Sequence, residues 1–317
     1  MSKSFDRNLD EYSGVAQTLL KAAQATLEDQ IDVALFGIPF DGGTLARTGS
    51  RYAPAQIRQM SHNIREMNLA TRVAPFASAR VGDIGDAPID PWSGERSFDV
   101  ITDFCKRVTA SGALPLAVGG DHSIALHGLR GVASRHGPVG VIHFDSHCDT
   151  YDELGGSRYN HATPFRRAVE EGVEDPKRHI MIGLRGTVGC DLEPFEWAQA
   201  QGMTLLWMHE CTELGPRGII DRIRAVVGDG PTYLSLDVDG VDPADFPGTC
   251  SPEPGGLTIR EVQTILRGLR GINLVGADLN EVSPRLDPTG YTAANAAHLI
   301  FELLCLLVES KARRPRE

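Results

Sequence analysis

Residues 139–149 read VGVIHFDSHCD, and this stretch predicts the fold of the chain. Residues 139–144 are almost entirely apolar, which is typical of a strand that helices cover on both faces of a parallel sheet. Two aspartates and a histidine follow at the point where the strand ends. Ligand sites of open parallel sheets lie just outside the carboxyl ends of the strands. The stretch therefore predicts an α/β protein with a functional site at one edge of its sheet.

The same alternation of short apolar runs and longer amphipathic segments continues along the chain, and it predicts βαβ units. Strands are predicted at residues 31–37, 114–118, 139–144, 179–183, 204–208, 233–236 and 274–277. Helices are predicted at residues 97–110, 124–135, 216–227, 259–269 and 293–310. Because no linker, repeat or low-complexity tract interrupts this pattern, we expect a single domain over residues 1–317. Residues 1–30 are expected to form an N-terminal extension that packs on the domain or makes oligomer contacts.

The composition is typical of a globular protein that binds neither nucleic acid nor a membrane surface. Of its 317 residues, 41% are hydrophobic and 23% are charged, which excludes a disordered or fibrous chain. Acidic residues number 42 against 31 basic ones, and the formal net charge is −11. This excess argues against nucleic acid and anionic lipid as partners. A solubilising surface accounts for most of it.

Cysteine usage and hydropathy indicate a cytoplasmic protein. The six cysteines are scattered and form no CxxC pair, a pattern typical of reduced thiols in the cytoplasm. The N-terminal residues lack the apolar core of a signal peptide. Residues 296–308 are the most apolar late stretch, but His298 and Glu302 interrupt it. We therefore expect a buried helix there, and no membrane span.

Polar motifs follow four of the predicted strands. They are GGDH at residues 119–122, DSHCD at 145–149, DVD at 237–239 and DLNE at 278–281. Because parallel strands end at the same edge of a sheet, acids and imidazoles from four strands are expected to converge. Each motif alone is typical of a solvated turn or a helix cap. Several at neighbouring strand ends are not, because uncompensated acids packed together repel one another.

The converging groups comprise four carboxylates and two imidazoles. They are His122, Asp145, His147, Asp149, Asp237 and Asp239. A zinc ion usually takes three or four protein ligands, so the set is too large for one zinc. It suits two divalent ions, about 3.5–4 Å apart and bridged by carboxylates. Oxygen-rich ligation favours Mn²⁺, while the higher intrinsic affinities of Ni²⁺ and Co²⁺ keep them as alternatives.

The motifs around these residues resemble those of the ureohydrolases, the arginase and agmatinase family, and most closely the agmatinase and guanidinobutyrase branch. The resemblance covers almost the whole chain. Its motifs are GGT at residues 42–44, RTGSR at 47–51, GDIGD at 82–86, GGDHS at 119–123, HFDSHCDT at 143–150, SLDVD at 235–239, PEPGG at 252–256 and EVSP at 281–284. The resemblance implies a three-layer αβα sandwich around a mostly parallel eight-stranded sheet. It also implies assembly as trimers or hexamers, with a hetero-oligomer as an alternative.

The same resemblance assigns the six candidate ligands to two ions. The more exposed ion would be held by His122, Asp145, Asp149 and Asp237. The deeper ion would be held by Asp145, His147, Asp237 and Asp239. Asp145 and Asp237 would therefore bridge the two ions.

Three further roles follow from the resemblance. Glu281 matches the acid that pairs with the substrate guanidinium, and His161 matches a mobile histidine that transfers protons. The implied reaction is the hydrolysis of a guanidino compound to urea and an amine, in which Asp149 carries a proton to the leaving nitrogen. His143, which lies two residues before Asp145, is expected to be a core histidine and not a ligand.

The sequence leaves the substrate open among agmatine, a guanidino acid and a substituted guanidine or biguanide. Asp152 or Glu153 offers a negative charge to an amine, whereas Arg158 offers a bidentate partner to a carboxylate. Arginine is disfavoured, because the segment after Asp149 is unlike the stretch with which arginases bind an α-amino acid.

Ala162, Cys148 and the loop at residues 244–251 depart from the pattern of the branch. Ala162 is expected to stiffen the backbone beside the candidate shuttle histidine, and Phe246 and Cys250 are expected to reshape the pocket wall. Two other functions stay open: a formimino-compound hydrolase, and a non-catalytic partner subunit of a hetero-oligomeric ureohydrolase. Degenerate subunits usually lose metal ligands, and this chain keeps all six.

Overall fold

A computed structural model describes residues 18–314, and within them a single sheet of nine parallel strands runs through the molecule. The strands are β1 Ala23–Gln24, β2 Val33–Gly37, β3 Val81–Asp86, β4 Leu114–Val118, β5 Val139–Phe144, β6 Glu174–Leu184, β7 Thr204–Trp207, β8 Thr232–Asp237 and β9 Leu274–Asn280. Their order across the sheet is β1-β3-β2-β4-β9-β8-β5-β6-β7. The predicted α/β class with a parallel sheet is confirmed.

Helices cover both faces of the sheet. In the described part of the chain they are α1 Ala53–Met60, α2 Pro75–Ser78, α3 Gly94–Ala110, α4 Ile124–His136, α5 Pro164–Glu170, α6 Glu193–Gln201, α7 Met208–Val227, α8 Ile259–Gly268 and α9 Tyr291–Ala312. Alternate strand residues point to opposite faces. Accordingly, Val33 and Leu35 lie in the core beneath α7, α8 and α9, while Ala34 and Phe36 lie in a second core beneath α3. This arrangement is the expected three-layer αβα sandwich.

The sheet has nine strands where eight were expected. The additional edge strand is β1, in which Ala23 and Gln24 pair with Gly82 and Asp83 of β3. Neither β1 nor β3 was among the strands predicted from apolar runs, because β3 reads VGDIGD and is too polar to form such a run. β6 is also longer than predicted, at 11 residues.

Part of the expected N-terminal extension packs on this sheet. The amide of Leu19 donates to Asp83 Oδ2 at 2.7 Å, and the amide of Leu20 donates to Ser61 Oγ at 2.9 Å. Both leucine side chains are buried. Residues 1–17 lie outside the described residues, so a role of this segment in oligomer contacts stays a prediction.

Helix α9 lies in the core of the domain. Among the described residues it is the one helix whose length and composition would suit a membrane span, but 83% of its most apolar window is buried inside the protein. The predicted buried helix around residues 296–308 is therefore confirmed.

The strand order positions the candidate site. The four strands that carry the polar motifs, β4, β9, β8 and β5, are consecutive neighbours at the centre of the sheet. In register, Leu236 pairs with Phe144, and Asp237 pairs with Asn280. The carboxyl ends of these strands therefore bring their polar residues to one central place, as parallel topology requires.

Candidate metal centre

His122 is the centre of a first cluster of carboxylates. It follows β4 after a turn in which Gly120 lies so close to the carbonyl of Phe40 that a side chain there would collide with it. This turn carries the imidazole over the ends of the neighbouring strands. His122 Nδ1 lies 3.0 Å from an oxygen of Asp145, 2.9 Å from Asp149 and 3.2 Å from Asp237.

His147 is the centre of a second cluster, which shares a carboxylate with the first. Its Nδ1 lies 3.1 Å from Asp239 Oδ2 and 3.3 Å from Asp145 Oδ1. Asp145 uses its other oxygen toward His122. The His147 side chain is 33% exposed, whereas His122 is buried, so the order of exposure of the two imidazoles is the reverse of that expected for the two ions. The structure thus brings together all six candidate ligands, in two groups joined at Asp145.

The carboxylates repel one another in this arrangement. Burial, together with the charge of Asp145, raises the pKa of Asp149 to about 6. Burial and the charges of Asp239 and Asp145 raise the pKa of Asp237 well above its usual range. Four acids that are at most 6% exposed therefore need compensating positive charge to stay ionised.

A divalent cation fits this need, and one atom points to it directly. His122 Nδ1 is buried and makes no hydrogen bond, although three carboxylate oxygens lie within 3.2 Å. That geometry is expected when a nitrogen lone pair and carboxylate oxygens face a common cation. The donor set of imidazole nitrogens and carboxylate oxygens suits Mn²⁺, Ni²⁺ or Co²⁺. The residues therefore fit the expected metal ions.

A buried chain of hydrogen bonds fixes the orientation of the His122 ring. Its Nε2 lies 2.9 Å from Ser235 Oγ, and Ser235 Oγ donates in turn to Asp278 Oδ1 at 2.7 Å. Tyr233 and Asn280 also donate to the Asp278 carboxylate, each at 2.7 Å. Because the serine proton goes to Asp278, the proton of the imidazole sits on Nε2 and leaves the Nδ1 lone pair free for a cation.

His143 contacts Asp145 at the same carboxylate oxygen as His122 does. Its Nε2 lies 2.8 Å from Asp145 Oδ2, and its ring stacks at 4.1 Å on Phe165. Burial lowers the pKa of His143 to about 3 despite the hydrogen bond to Asp145. The ring is therefore neutral and donates to the carboxylate. His143 is a core histidine, as expected, but its contact with a candidate ligand was not foreseen.

Glu281 lies beside the first cluster with one carboxylate oxygen unused. Oε1 accepts from the amide of His122 at 2.9 Å and contacts His161 Nδ1 at 3.1 Å. Oε2 is buried and has no hydrogen-bond partner among residues 18–314. Both Glu281 and Asp149 have positive φ, 63° and 51°, which non-glycine residues adopt rarely and mostly at functional sites.

His161 is held against Glu281 by its backbone and by charge. Its amide donates to the carbonyl of Gly43 at 3.2 Å. Burial acts to lower the pKa of His161, but contacts with Cys250 and Glu281 and the charge of Asp121 outweigh it and raise the pKa to about 12. The structure therefore places His161 directly beside Glu281.

Two of the three charged residues considered for substrate selection, Arg158 and Asp152, are paired with each other and with neighbouring charges. Arg158 Nη2 lies 2.9 Å from Asp152 and 3.1 Å from Glu170, and Arg167 also binds Asp152 at 2.7 Å. Arg158 and Asp152 are both about half exposed. Neither side chain is free to receive the far end of a substrate in this arrangement.

Ala162, Phe246 and Cys250, which were expected to alter the site, lie in different places. Phe246 is fully buried in the hydrophobic core, so the prediction that it shapes the pocket wall was wrong. Cys250 does lie at the site, within 4.8 Å of donor atoms of His161 and Glu281. Ala162 accepts a backbone hydrogen bond from Tyr151 at 3.1 Å, which fixes the loop next to His161.

Comparisons with known proteins agree with this architecture. Residues 31–306 match the arginase family. The chain is 45% identical to guanidinopropionase of Pseudomonas aeruginosa, over 96% of this chain and 95% of that protein. It is 42% identical to guanidinobutyrase of the same organism, over 94% of both. The crystal structure of proclavaminate amidinohydrolase from Streptomyces clavuligerus superposes with a TM-score of 0.89 at 35% identity, covering 95% of this chain and 99% of that one.

Proposed function

Because the chain belongs to the arginase family and is an amidinohydrolase, we propose that it hydrolyses a guanidino acid to urea and an amine with the help of two divalent metal ions. The observation that carries this proposal is the buried, unpartnered Oε2 of Glu281 beside the two carboxylate clusters. It offers a negative charge to a guanidinium at the place where the candidate metal ligands meet.

One ion would be held by the residues around His122, and the other by those around His147. The first set is His122, Asp145, Asp149 and Asp237, and the second set is Asp145, His147, Asp237 and Asp239. Support comes from the shared position of Asp145 between the two imidazoles and from the unbonded lone pair of His122. Mn²⁺ is the ion we propose, because oxygen donors dominate both sets.

Glu281 binds and orients the substrate. Its Oε1 is fixed by the amide of His122, so the carboxylate cannot turn away, and Oε2 accepts an N–H of the guanidinium. A charge-assisted hydrogen bond in a water-poor site is stronger than a neutral one. The guanidinium carbon is thereby held next to the carboxylate clusters. When bound, the two ions would supply a nucleophile, because they lower the pKa of a bound water molecule to near neutrality.

Asp149 and His161 move the protons that the reaction requires. Asp149 is buried in the first cluster, with an oxygen 2.9 Å from His122 Nδ1, and it accepts a proton and passes it to the leaving nitrogen. His161 carries a proton while no substrate is bound to Glu281. A guanidinium on the same carboxylate adds a second positive charge, which lowers the pKa of His161 and favours release of that proton.

A guanidino acid is the substrate class that the similar proteins support best. Relatives at 45% and 42% identity are named guanidinopropionase and guanidinobutyrase, and a human relative at 38% identity is named guanidino acid hydrolase. The pairing of Arg158 with Asp152 supports neither an amine-binding role of Asp152 nor a carboxylate-binding role of Arg158, so the choice of a guanidino acid rests on the names of these relatives. The complete set of ligand side chains also argues against a non-catalytic subunit.

A product assay on the purified chain tests the proposal. Protein loaded with Mn²⁺, and separately with Ni²⁺ or Co²⁺, is incubated with guanidinopropionate, guanidinobutyrate, agmatine, arginine and formiminoglutamate. We expect urea from the guanidino acids, with kcat/KM higher than for agmatine and arginine. Agmatine as the best substrate would reject the guanidino acid, and formamide without urea would reject the reaction. No product with any metal would support a non-catalytic subunit.

A further inference from the structure

Cys250, His161 and Glu281 form a group of donors that the proposed reaction does not use as metal ligands. The Cys250 thiol, a ring nitrogen of His161 and a carboxylate oxygen of Glu281 all lie within 4.8 Å of one another. Cys250 is 5% exposed and Glu281 is 2% exposed. The group therefore combines a sulfur, a nitrogen and an oxygen donor in one largely buried place.

We propose that Cys250, His161 and Glu281, the triad, form a third metal site, which binds a soft divalent cation such as Zn²⁺ or Cd²⁺. The bound cation would prevent a substrate guanidinium from binding Glu281. Thiolate and imidazole ligands prefer Zn²⁺ and similar ions over Mn²⁺. A three-ligand site with an open fourth position is a common arrangement for zinc. The proposed inhibition rests on the proposed function, whereas the binding itself does not.

The unpartnered oxygen of Glu281, which binds the guanidinium in the proposed function, shows that a ligand fits at this place. Oε2 is buried and has no hydrogen-bond partner among the described residues. Oε1 already lies 3.1 Å from His161 Nδ1. Ligand atoms of a tetrahedral zinc site are roughly 3.3–3.7 Å apart, as follows from bonds of about 2.0–2.3 Å. His161 and Glu281 are already that close, so the site forms when the Cys250 thiol, which lies within 4.8 Å of both, moves toward them.

The loop that carries Cys250 is held in place from two sides. Thr249 forms an antiparallel bridge with Val282, and the amide of Ser283 donates to the carbonyl of Gly248 at 2.6 Å. These contacts tie the loop to the segment that carries Glu281. The loop is therefore already ordered, and binding of the ion costs little conformational entropy.

Arg47 adds a second constraint on the same loop. Its Nε donates to the carbonyl of Cys250 at 3.0 Å, and its Nη2 donates to the carbonyl of Thr249 at 2.8 Å. The thiol therefore keeps its position beside His161. On binding a cation the thiol would release its proton to solvent, and the imidazole of His161, which carries an extra proton beside Glu281, would release one as well, because metal ligands must be deprotonated.

Occupation of this triad would stop hydrolysis without emptying the main centre. The ion takes the carboxylate that a guanidinium requires and also the imidazole proposed to relay protons. The carboxylate clusters around His122 and His147 keep their own ligands. We therefore expect inhibition that substrate opposes, with the Mn²⁺ content of the protein unchanged.

The test is a Cd²⁺ titration of Mn²⁺-loaded protein, read out by metal analysis and by ultraviolet absorption of the cadmium–thiolate bond. Three further proteins are compared with the unmodified chain: Cys250→Ala, Cys250→Ser and Cys190→Ser. Cys190 is the matched control, because it is an exposed thiol far along the chain from the triad. Mn²⁺ content and circular dichroism establish that each variant is folded.

We expect the unmodified chain and Cys190→Ser to bind one additional Cd²⁺ per chain, with the thiolate absorption and with all Mn²⁺ retained. Both Cys250 variants should lack the absorption and bind Cd²⁺ at least tenfold more weakly. In the unmodified chain Cd²⁺ should raise KM for the guanidino substrate with kcat unchanged. The proposal is overturned if the Cys250 variants bind Cd²⁺ as the unmodified chain does, or if each Cd²⁺ gained displaces one Mn²⁺. If none of the proteins hydrolyses a guanidino substrate before Cd²⁺ is added, while Cd²⁺ binds as expected, only the proposed function is rejected.

Discussion

The substitution Ser235→Ala tests how the protein orients its candidate ligand His122. Ser235 is buried between the two groups, with its Oγ 2.9 Å from His122 Nε2 and 2.7 Å from Asp278 Oδ1. Alanine removes only the hydroxyl. Asp278 keeps hydrogen bonds from Tyr233 and Asn280, whereas the Nε2–H of His122 loses its acceptor in the absence of the hydroxyl.

The magnitude follows from the cost of that buried N–H. A buried donor without a partner costs about 1–3 kcal/mol, and about 1.4 kcal/mol corresponds to a factor of ten. Loss of a hydrogen bond that orients a metal ligand typically costs about 10–100-fold in metal affinity. Because His147 has its own contacts with Asp145 and Asp239, the loss should fall on one of the two ions.

The assay is a chelator competition in which metal content is counted at each chelator concentration. Ser310→Ala is the matched control, since Ser310 is also buried and donates one hydrogen bond, to the carbonyl of Leu274 at 2.9 Å. We expect Ser235→Ala to lose one ion at a chelator concentration about 10–100-fold lower than the unmodified chain requires. The reasoning is refuted if both ions stay as tightly bound as in Ser310→Ala.

Three other substitutions test separate parts of the account. Glu281→Gln removes the charge that faces the guanidinium and should lower kcat/KM by about 10²–10³-fold with metal content unchanged; loss of metal would contradict a substrate-binding role. Asp237→Ala should leave fewer than one ion per chain and abolish urea release, because the same carboxylate serves both proposed ions; near-normal turnover would reject the bridge. Burial, reinforced by the charge of Arg130, lowers the pKa of His127 to about 3, so the unfolded chain binds a proton below pH 6.5 that the folded chain does not. The free energy of unfolding should therefore fall as pH falls from about 6.5 toward 3, by about 1.4 kcal/mol per pH unit. The melting temperatures at pH 7 and pH 5 should differ less in His127→Gln than in the unmodified chain. An equal difference in the two proteins would show that His127 is not the cause.

The central strands could be predicted because their sequences carry the signal themselves. β4 and β5 occupy the predicted residues, 114–118 and 139–144, since burial on both faces demands apolar residues throughout. β3 could not be predicted in this way. Asp83 of this strand binds Arg58 and the amide of Leu19. Because these partners are distant in sequence, no local sequence pattern predicts the strand.

The candidate ligands were predictable for a similar reason, whereas their supporting residues were not. Acids that directly follow a buried strand add nothing to its packing and therefore indicate a site, and all six candidate ligands lie in the two clusters. His143, Ser235 and Asp278 instead lie within strands, where the sequence shows only polar residues in apolar runs. A polar residue within an apolar strand does indicate that a buried hydrogen-bond partner exists, but it does not identify that partner. The meeting of His161, Cys250 and Glu281 depends on three loops, and no spacing along the chain predicts it.

The most direct test of the central claim is urea release measured while metal-free protein is reconstituted with Mn²⁺ step by step. Each point records both the urea formed from guanidinopropionate and the ions bound per chain. Our account predicts that urea release increases until two ions are bound per chain and then stays constant. Full activity with one ion per chain, or no urea at any metal content, would contradict it.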